Sequence, residues 1–295
     1  MFRTCAAIFA ASVLLFLHPA AAESSPPHYT AAPVFFELFP NDYGAPENLE
    51  LMPQGKLDLP PLGTEGIDNF DWQHHSRKDQ SWWNRVENFF YLLPLLASGD
   101  ASHRRFVNAW FECWYPPHKD GKPNAGAWDG MTVGQRAVVL TWILKLESLD
   151  PIEGAGFTDR LEEAISWHQE FLLKPAHFER NSNHGMWQAF GLLETARVVP
   201  NDTLEAIAFD RLLYLTRKSV STRGMHKEHS PGYHFVFVKW LGQYVSYLES
   251  LYDDASAEIV ELHDYLDKMN RASYFLLDHA NRVPPIGDSS KEMNP

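Results

Sequence analysis

The sequence of 295 residues contains only two cysteines, Cys5 and Cys113. This scarcity excludes the disulfide framework that holds small secreted domains together, and a chain of this length can bury a sizeable core without one. Cys113 stands at helical spacing behind Phe106 and Trp110. We therefore predict that it packs in the core rather than serving as a reactive thiol.

Basic residues are also few, with 25 Lys and Arg against 38 Asp and Glu and a formal net charge of -13. That charge disfavours nonspecific attraction to nucleic acid or to an anionic membrane. A polyanionic ligand would need a local basic cleft. Glycine-rich phosphate loops, a Gly-x-Ser-x-Gly elbow and nucleic-acid signatures are absent from the sequence.

A long apolar run occurs at the N-terminus, from Ala6 to Leu17, and is followed by Ala20-Ala21-Ala22. Arg3 precedes it. A charged start, a short apolar stretch and small residues at the end are typical of a cleavable secretory signal, and the run is too short to span a bilayer. We predict a signal peptide over 1–22 and a periplasmic or secreted mature protein, with no membrane contact after cleavage.

Residues 23–69 contain eight prolines and no sustained helical period, which predicts an extended arm. From residue 70 to 295 apolar residues recur at a period of 3.6, and we expect about eight helices. Short connections such as 200–203 predict antiparallel hairpins. The expected fold is all-α, an incomplete (α/α) toroid of helical hairpins behind the arm; the alternative is an irregular helical domain.

Two polar runs stand at predicted helix starts, over 181–188 and 226–234. Asn183 is a candidate N-cap that would leave His184 in the first turn, beside unsatisfied backbone N–H groups. Pro231 and Gly232 precede the most strongly periodic segment and place Tyr233 at its start. Each residue taken singly also fits a purely structural role.

Together these runs resemble the heparinase II/III-like superfamily of polysaccharide lyases, which includes heparan sulfate lyases and alginate lyases. The resemblance covers roughly residues 70–290. It is carried by the following stretches: Asn183-His184-Gly185, Glu228-x-Ser230-Pro231-Gly232-Tyr233-His234, Trp128-Asp129-Gly130 with Arg136, His177, and Pro285-Ile286-Gly287-Asp288-Ser289.

The resemblance implies an N-terminal α/α toroid domain that cleaves uronic-acid-containing chains by β-elimination, without a cofactor. Tyr233 and His184 would share the acid and base roles. Asn183 and His184 would neutralise the substrate carboxylate as negative charge develops beside it. It also implies a large β-sheet domain that closes over the cleft. This chain leaves no room for that domain, so we expect a separate or missing β-sheet partner.

Further residues receive roles by the same resemblance. Arg136, Trp128, His234 and His177 are candidates for substrate binding. For Arg136 an internal pair with an acid is equally expected, and for Trp128 core packing is. We interpret Glu228 as a buried acid that orients a neighbouring histidine, because a carboxylate facing the substrate's own carboxylate would repel it.

Three other functions remain open at this point. His226, His229 and His234 with Glu228 suggest a metal site, but their spacing matches no usual zinc motif, and we predict no metal. A glycoside hydrolase would need Glu228 and Asp129 as paired carboxylates. A non-catalytic fragment would bind an acidic glycan without cleaving it.

Overall fold

The computed structural model describes residues 48–58, 64–66, 80–113, 128–149, 156–199, 201–228, 230–252, 256–287 and 289. The predicted signal peptide over 1–22 lies outside them, as do His229, Asp288 and the side chain of Cys113. No helix among the described residues is long and apolar enough to cross a membrane.

The part of the arm that is described contains little regular structure. A four-residue helix, α1, is followed by a 3₁₀ turn over Met52–Gln54 and by two three-residue strands that pair antiparallel. Lys56 lies opposite Gly66 in that pair. The bounds are α1 Asn48–Leu51, β1 Lys56–Asp58 and β2 Thr64–Gly66.

Nine further α-helices follow in the described part of the chain, and eight of them are eight residues or longer, as the period predicts. They are α2 Gln80–Glu87, α3 Leu93–Ser98, α4 His103–Cys113, α5 Gly130–Leu149, α6 Phe157–Leu173, α7 His184–Val198, α8 Asp202–Ser219, α9 Pro231–Leu251 and α10 Ala257–Ser273. Short 3₁₀ turns cover Phe90–Leu92 and Pro175–His177.

The period at residues 86–93 predicts one continuous helix, and the structure interrupts it. Phe89 adopts a left-handed backbone conformation with φ 64°, so α2 ends at Glu87 and a 3₁₀ turn follows. Val86, Phe89, Phe90 and Leu93 are nevertheless all buried. The pattern therefore identified the buried side chains correctly, although the backbone between them is not one helix.

The helices pack as the successive hairpins of an incomplete (α/α) toroid, and the fold is all-α as predicted. Helix α7 lies at its centre: twelve of its fifteen residues are buried. It packs against α5, α6 and α8, and it contacts α9 through aromatic side chains. The sequence predicted a single buried face for α7, but neighbours on several sides bury nearly all of it.

Helices α5 and α7 run in the same direction and approach very closely. An ideal Cβ on Gly134 would lie 2.3 Å from the carbonyl oxygen of Trp187, and one on Gly191 would lie 2.4 Å from that of Gly134. Only glycine fits at such a crossing. Further along both helices Lys145 Nζ lies 3.1 Å from Glu194 Oε2, so residue numbers rise together on the two helices.

Helix α9 runs parallel to α7 as well, but is held further away by large rings. The ring centroids of Trp187 and Trp240 lie 6.0 Å apart, and those of Phe190 and Tyr244 lie 4.3 Å apart. The Tyr247 hydroxyl donates to Glu194 Oε1 at 2.7 Å. Helices α5, α7 and α9 therefore begin at the same end of the molecule, and we call this end the rim.

Candidate active site

At the start of α5, Trp128 and Asp129 form one edge of the rim. Asp129 Oδ2 accepts from the backbone N and the hydroxyl of Thr132, at 3.4 Å and 3.3 Å, so the carboxylate caps the helix. The half-buried Trp128 ring packs on Phe171, with centroids 5.0 Å apart. Phe171 in turn packs on His177 at 4.0 Å, which makes a row of three rings along the rim.

At the start of α7, Asn183 occupies the predicted cap position, but its side chain accepts no backbone N–H. Ser182 serves instead: its hydroxyl accepts from the backbone N of His184 at 3.1 Å and donates to Glu179 Oε2 at 3.0 Å. Capping would occupy only the side-chain oxygen of half-buried Asn183, so its amide NH2 group is available in either case. It remains a donor at the rim.

His184 lies against Glu179 at the rim, a residue that sequence reasoning did not single out, and the two form an ion pair when the imidazole is protonated. His184 Nδ1 lies 3.2 Å from Glu179 Oε2, and the two side chains are 38% and 36% exposed. Because Nδ1 faces the acid, Nε2 is the ring nitrogen available to a ligand. Glu179 stands five residues before His184 in a polar loop. That proximity is the one feature of the sequence from which its role could have been inferred.

Asp129, Glu179 and His184 place one polar atom each within 4.8 Å of one another. Among the described residues, these three form a group of two carboxylates and one imidazole, which are side chains that can bind a metal ion. Each member also has a protein partner that accounts for its position: Thr132 for Asp129, and Ser182 with His184 for Glu179. The cluster joins the start of α5 to the start of α7.

Gln188, buried on the first turns of α7, fixes the loop that holds Glu179. Its Oε1 accepts from the backbone N of Glu179 at 2.8 Å, and its Nε2 donates to the carbonyl of His177 at 2.7 Å. The half-buried His177 ring keeps Nδ1 3.0 Å from the Phe171 carbonyl. His177 thus lies at the rim, where one nitrogen is engaged with the protein.

At the start of α9, Tyr233 is half-buried and its backbone N donates to Ser230 Oγ at 3.4 Å. Ser289 meets the same turn: its hydroxyl accepts from the backbone N of Gly232 at 2.7 Å and lies 3.0 Å from that of Ser230. The two distant stretches that carried the resemblance, 228–234 and 285–289, therefore meet at this helix start and fix the position of Tyr233.

His234 is buried beside Tyr233 rather than presented at the rim. Its Nδ1 accepts from the backbone N of His226 at 3.2 Å, and its Nε2 lies 3.0 Å from Ser273 Oγ. Burial lowers the pKa of His234. Burial, followed by the nearby His234, lowers the pKa of His226 to about 4. A neutral, fully engaged His234 supports the helix start but offers no cation to a substrate.

Arg136 lies in the interior beneath the rim, and both it and Glu87 have fully buried side chains. Its Nη1 donates to the Glu87 carbonyl at 2.9 Å and to Glu87 Oε2 at 3.2 Å. Its Nε donates to His168 Nε2 at 2.9 Å. Of the two readings of Arg136, the structure shows the internal ion pair.

Glu228 is exposed, so the interpretation of a buried orienting acid is wrong. It stands in the turn between the isolated bridge residue His226 and the start of α9. His229 lies outside the described residues.

No protein-family model matches the chain, and no curated protein sequence matches it. Solved structures do. A heparan sulfate lyase, HepC, from Pedobacter heparinus is 16% identical with a TM-score of 0.58, over 91% of this chain and 42% of that one. A heparinase III BT4657 gene product is 16% identical with a TM-score of 0.61, over 95% and 47%.

A third structure, described as heparinase III, is 14% identical with a TM-score of 0.58, over 91% of this chain and 43% of its own. Identities this low show a shared fold alone. The chain spans less than half the length of each of these proteins. It thus has the helical fold found in part of the structures of heparan sulfate lyases.

Proposed function

We propose that this chain is the helical catalytic part of a polysaccharide lyase that cleaves uronic-acid-containing polysaccharides by β-elimination. The observation that carries the proposal is the parallel direction of α7 and α9, which brings the starts of both helices to one rim. Asn183, His184 and Tyr233 stand at those starts. The fold shared with heparan sulfate lyases supports the same function.

In the proposed reaction a base removes the proton at C5 of the uronate, next to the carboxylate. A double bond forms between C4 and C5 as the bond from C4 to the glycosidic oxygen breaks, and that oxygen takes up a proton. The Tyr233 hydroxyl is the proton donor to the leaving oxygen. The base is His184 Nε2 or Tyr233 itself, according to the C5 configuration presented.

Charge beside C5 is the main barrier, because the proton is lost next to an existing carboxylate. Asn183 contributes an uncharged amide donor, and His184 contributes a donor or a cation. Arg136 and His234 are unsuited to this task, since both are buried with protein partners. His184 is therefore the candidate cation of the described rim.

Asp129 and Glu179 put negative charge close to the proposed substrate carboxylate. Thr132 and Ser182 donate to these acids, and His184 pairs with Glu179. The substrate carboxylate would approach on the Asn183 side, where it meets donors. Trp128 and His177, in the ring row at the rim, would support the sugar rings.

The cellular location of the proposed reaction is inferred from the predicted signal peptide. An exported protein, periplasmic or secreted after cleavage behind Ala22, would meet acidic polysaccharides outside the cytoplasm. A β-sheet domain of the kind that the resemblance implies would complete the cleft. No cofactor takes part in the proposed chemistry.

The test is incubation of the chain with a panel of uronate polymers, followed by near-ultraviolet absorbance, because elimination leaves a conjugated double bond and hydrolysis does not. We expect Tyr233→Phe to lower turnover about 10²–10⁴-fold, the usual contribution of a general acid or base. Substrate affinity should remain.

Tyr274→Phe is the matched control, since Tyr274 is 79% exposed beyond the end of α10. It should leave turnover unchanged. Release of sugar ends without the absorbance would identify a hydrolase, and full activity in Tyr233→Phe would contradict the role of this tyrosine.

A further inference from the structure

A second concave site lies behind the loop that carries Glu179, on the outer side of the rim. It is a pocket of about 300 Å³ between the 175–180 loop and the outward face of α8. That volume is at the lower end of the range of about 300–1,000 Å³ found for ligand sites. The charged and aromatic residues that line it are Phe178, Arg180, Asp210, Arg211 and Tyr214. We call it the outer pocket.

Arg211 forms the floor of the outer pocket and is 8% exposed. Its guanidinium donates to the Leu173 carbonyl at 3.0 Å and to that of Leu172, and lies 4.6 Å from the centre of the Phe178 ring. Burial lowers the pKa of Arg211, and nearby Arg180 lowers it further. Among the described residues no carboxylate lies within ion-pair distance of either arginine.

Aromatic surface accompanies this charge. The rings of Phe178 and Tyr214 stand 6.4 Å apart at 60°, and Tyr214 is 40% exposed. Lys218, one turn after Tyr214, lies 5.6 Å from the centre of the Tyr214 ring and adds a third cation at the edge. Asp210 is the one acid among the five lining residues named above. In a chain of net charge -13, this is a local basic surface with exposed rings.

We propose that the outer pocket is a non-catalytic subsite for an anionic sugar unit of the polysaccharide substrate. Arginine forks bind carboxylate or sulfate oxygens in a planar, bidentate manner, and flat ring faces carry the apolar faces of sugars. The inference rests on the proposed lyase function for the identity of the polymer. Carboxylate and sulfate are the two sources of the negative charge.

The position of the outer pocket links it to the rim. Phe178 and Arg180 flank Glu179 in the chain, and whereas Glu179 pairs with His184 on the rim side, its two neighbours line the pocket. One loop thus separates the two sites. A chain that lies across the rim can continue over this loop, so that one sugar unit enters the pocket while another lies at Tyr233.

The experiment measures binding of long and short uronate oligomers by calorimetry in the Tyr233→Phe background, which prevents turnover. Arg180→Ala and Tyr214→Ala change exposed side chains, and thermal unfolding will verify that both variants fold. We expect Arg180→Ala to weaken binding of long oligomers about tenfold, the value of one charge-assisted contact. Tyr214→Ala should weaken the same binding through loss of the ring face. Oligomers too short to span both sites should bind all variants equally.

Arg217→Ala is the matched control for Arg180→Ala, because it removes the same charge at a site outside the pocket, on α8, where Arg217 pairs with half-buried Glu261. It should bind like the parent. Weakening with unsulfated and sulfated oligomers alike identifies the carboxylate as the bound group, and weakening with sulfated oligomers alone identifies the sulfate.

Equal affinity of Arg180→Ala and the parent for every oligomer overturns the subsite, even if the chain is an active lyase. If the unsubstituted chain eliminates none of the polymers but Arg180→Ala still weakens binding, the proposed lyase function fails and the subsite stands.

Discussion

Two clusters of ionisable side chains, each with a histidine and at least one acid, lie next to each other, one inside the protein and one at the rim. The interior cluster consists of Glu87, Arg136 and His168, and the rim cluster of Asp129, Glu179 and His184. Trp128 lies between them, 5.5 Å from the His168 ring and adjacent in sequence to Asp129. Their burial differs, and because of it the first cluster belongs to the scaffold while the second stays accessible to solvent.

Nearly all hydrogen-bonding atoms of the interior cluster have partners within the protein. His168 Nδ1 donates to the Ala164 carbonyl at 2.7 Å, and Nε2 accepts from Arg136, so the ring is held neutral. Burial, and then Arg136, lowers the pKa of His168 to about 3. Burial raises the pKa of Glu87, against the opposing effect of Arg136. At the rim, side chains about one-third exposed keep contact with water.

The largest expected effect comes from breaking the interior pair. Arg136→Met leaves Glu87 buried without its cation, and loss of one partner of a buried pair costs about 3–5 kcal/mol of unfolding free energy. Denaturant unfolding measures it. The double variant Glu87→Leu with Arg136→Met should recover part of the loss, because no uncompensated charge remains. A loss below 1 kcal/mol in Arg136→Met would contradict the scaffold role.

The second prediction concerns acid stability and His168. A histidine with a lowered folded-state pKa takes up its proton in the unfolded chain first, so stability is lost as pH falls from about 6.5 towards about 3. Glu87, with its raised pKa, acts in the opposite direction. His168→Gln removes the contribution of this histidine to the pH dependence of stability, and its amide oxygen remains an acceptor for Arg136.

The difference in unfolding free energy between the parent and His168→Gln should therefore shift against the parent by about 1.4 kcal/mol per pH unit below pH 6. Denaturant titrations from pH 4 to pH 8 measure that difference, and the values at pH 8 serve as the reference. A difference that stays constant with pH would show that His168 is not held neutral.

The smallest effect on stability is expected at the rim. Glu179→Gln removes one partner of a pair about one-third exposed, and such pairs contribute about 0–1 kcal/mol. Since Glu179 positions His184, turnover by the proposed lyase should fall, with the unfolding midpoint nearly unchanged. Loss of stability as large as in Arg136→Met would erase the distinction between the two clusters.

The comparison also shows how far sequence reasoning reached into the site. Asn183, His184 and Tyr233 were singled out from their motifs, and they lie at helix starts as the period predicted. Glu179, Gln188 and Ser289 were not assigned a role, because each acts through a hydrogen bond or ion pair that the loop geometry creates. Glu228 was predicted to be buried because it would repel a substrate carboxylate, and the structure shows it exposed.

The sequence by itself determined the helical period, the hairpins, the buried apolar positions and the motifs at the helix starts, because these depend on residues within a few turns of one another. The tertiary structure alone decided which polar residues belong to the scaffold. Arg136 meets Glu87 across 49 positions of sequence, and His168 joins them from α6. Burial of a polar side chain depends on neighbours contributed by distant helices, and the local pattern does not contain it.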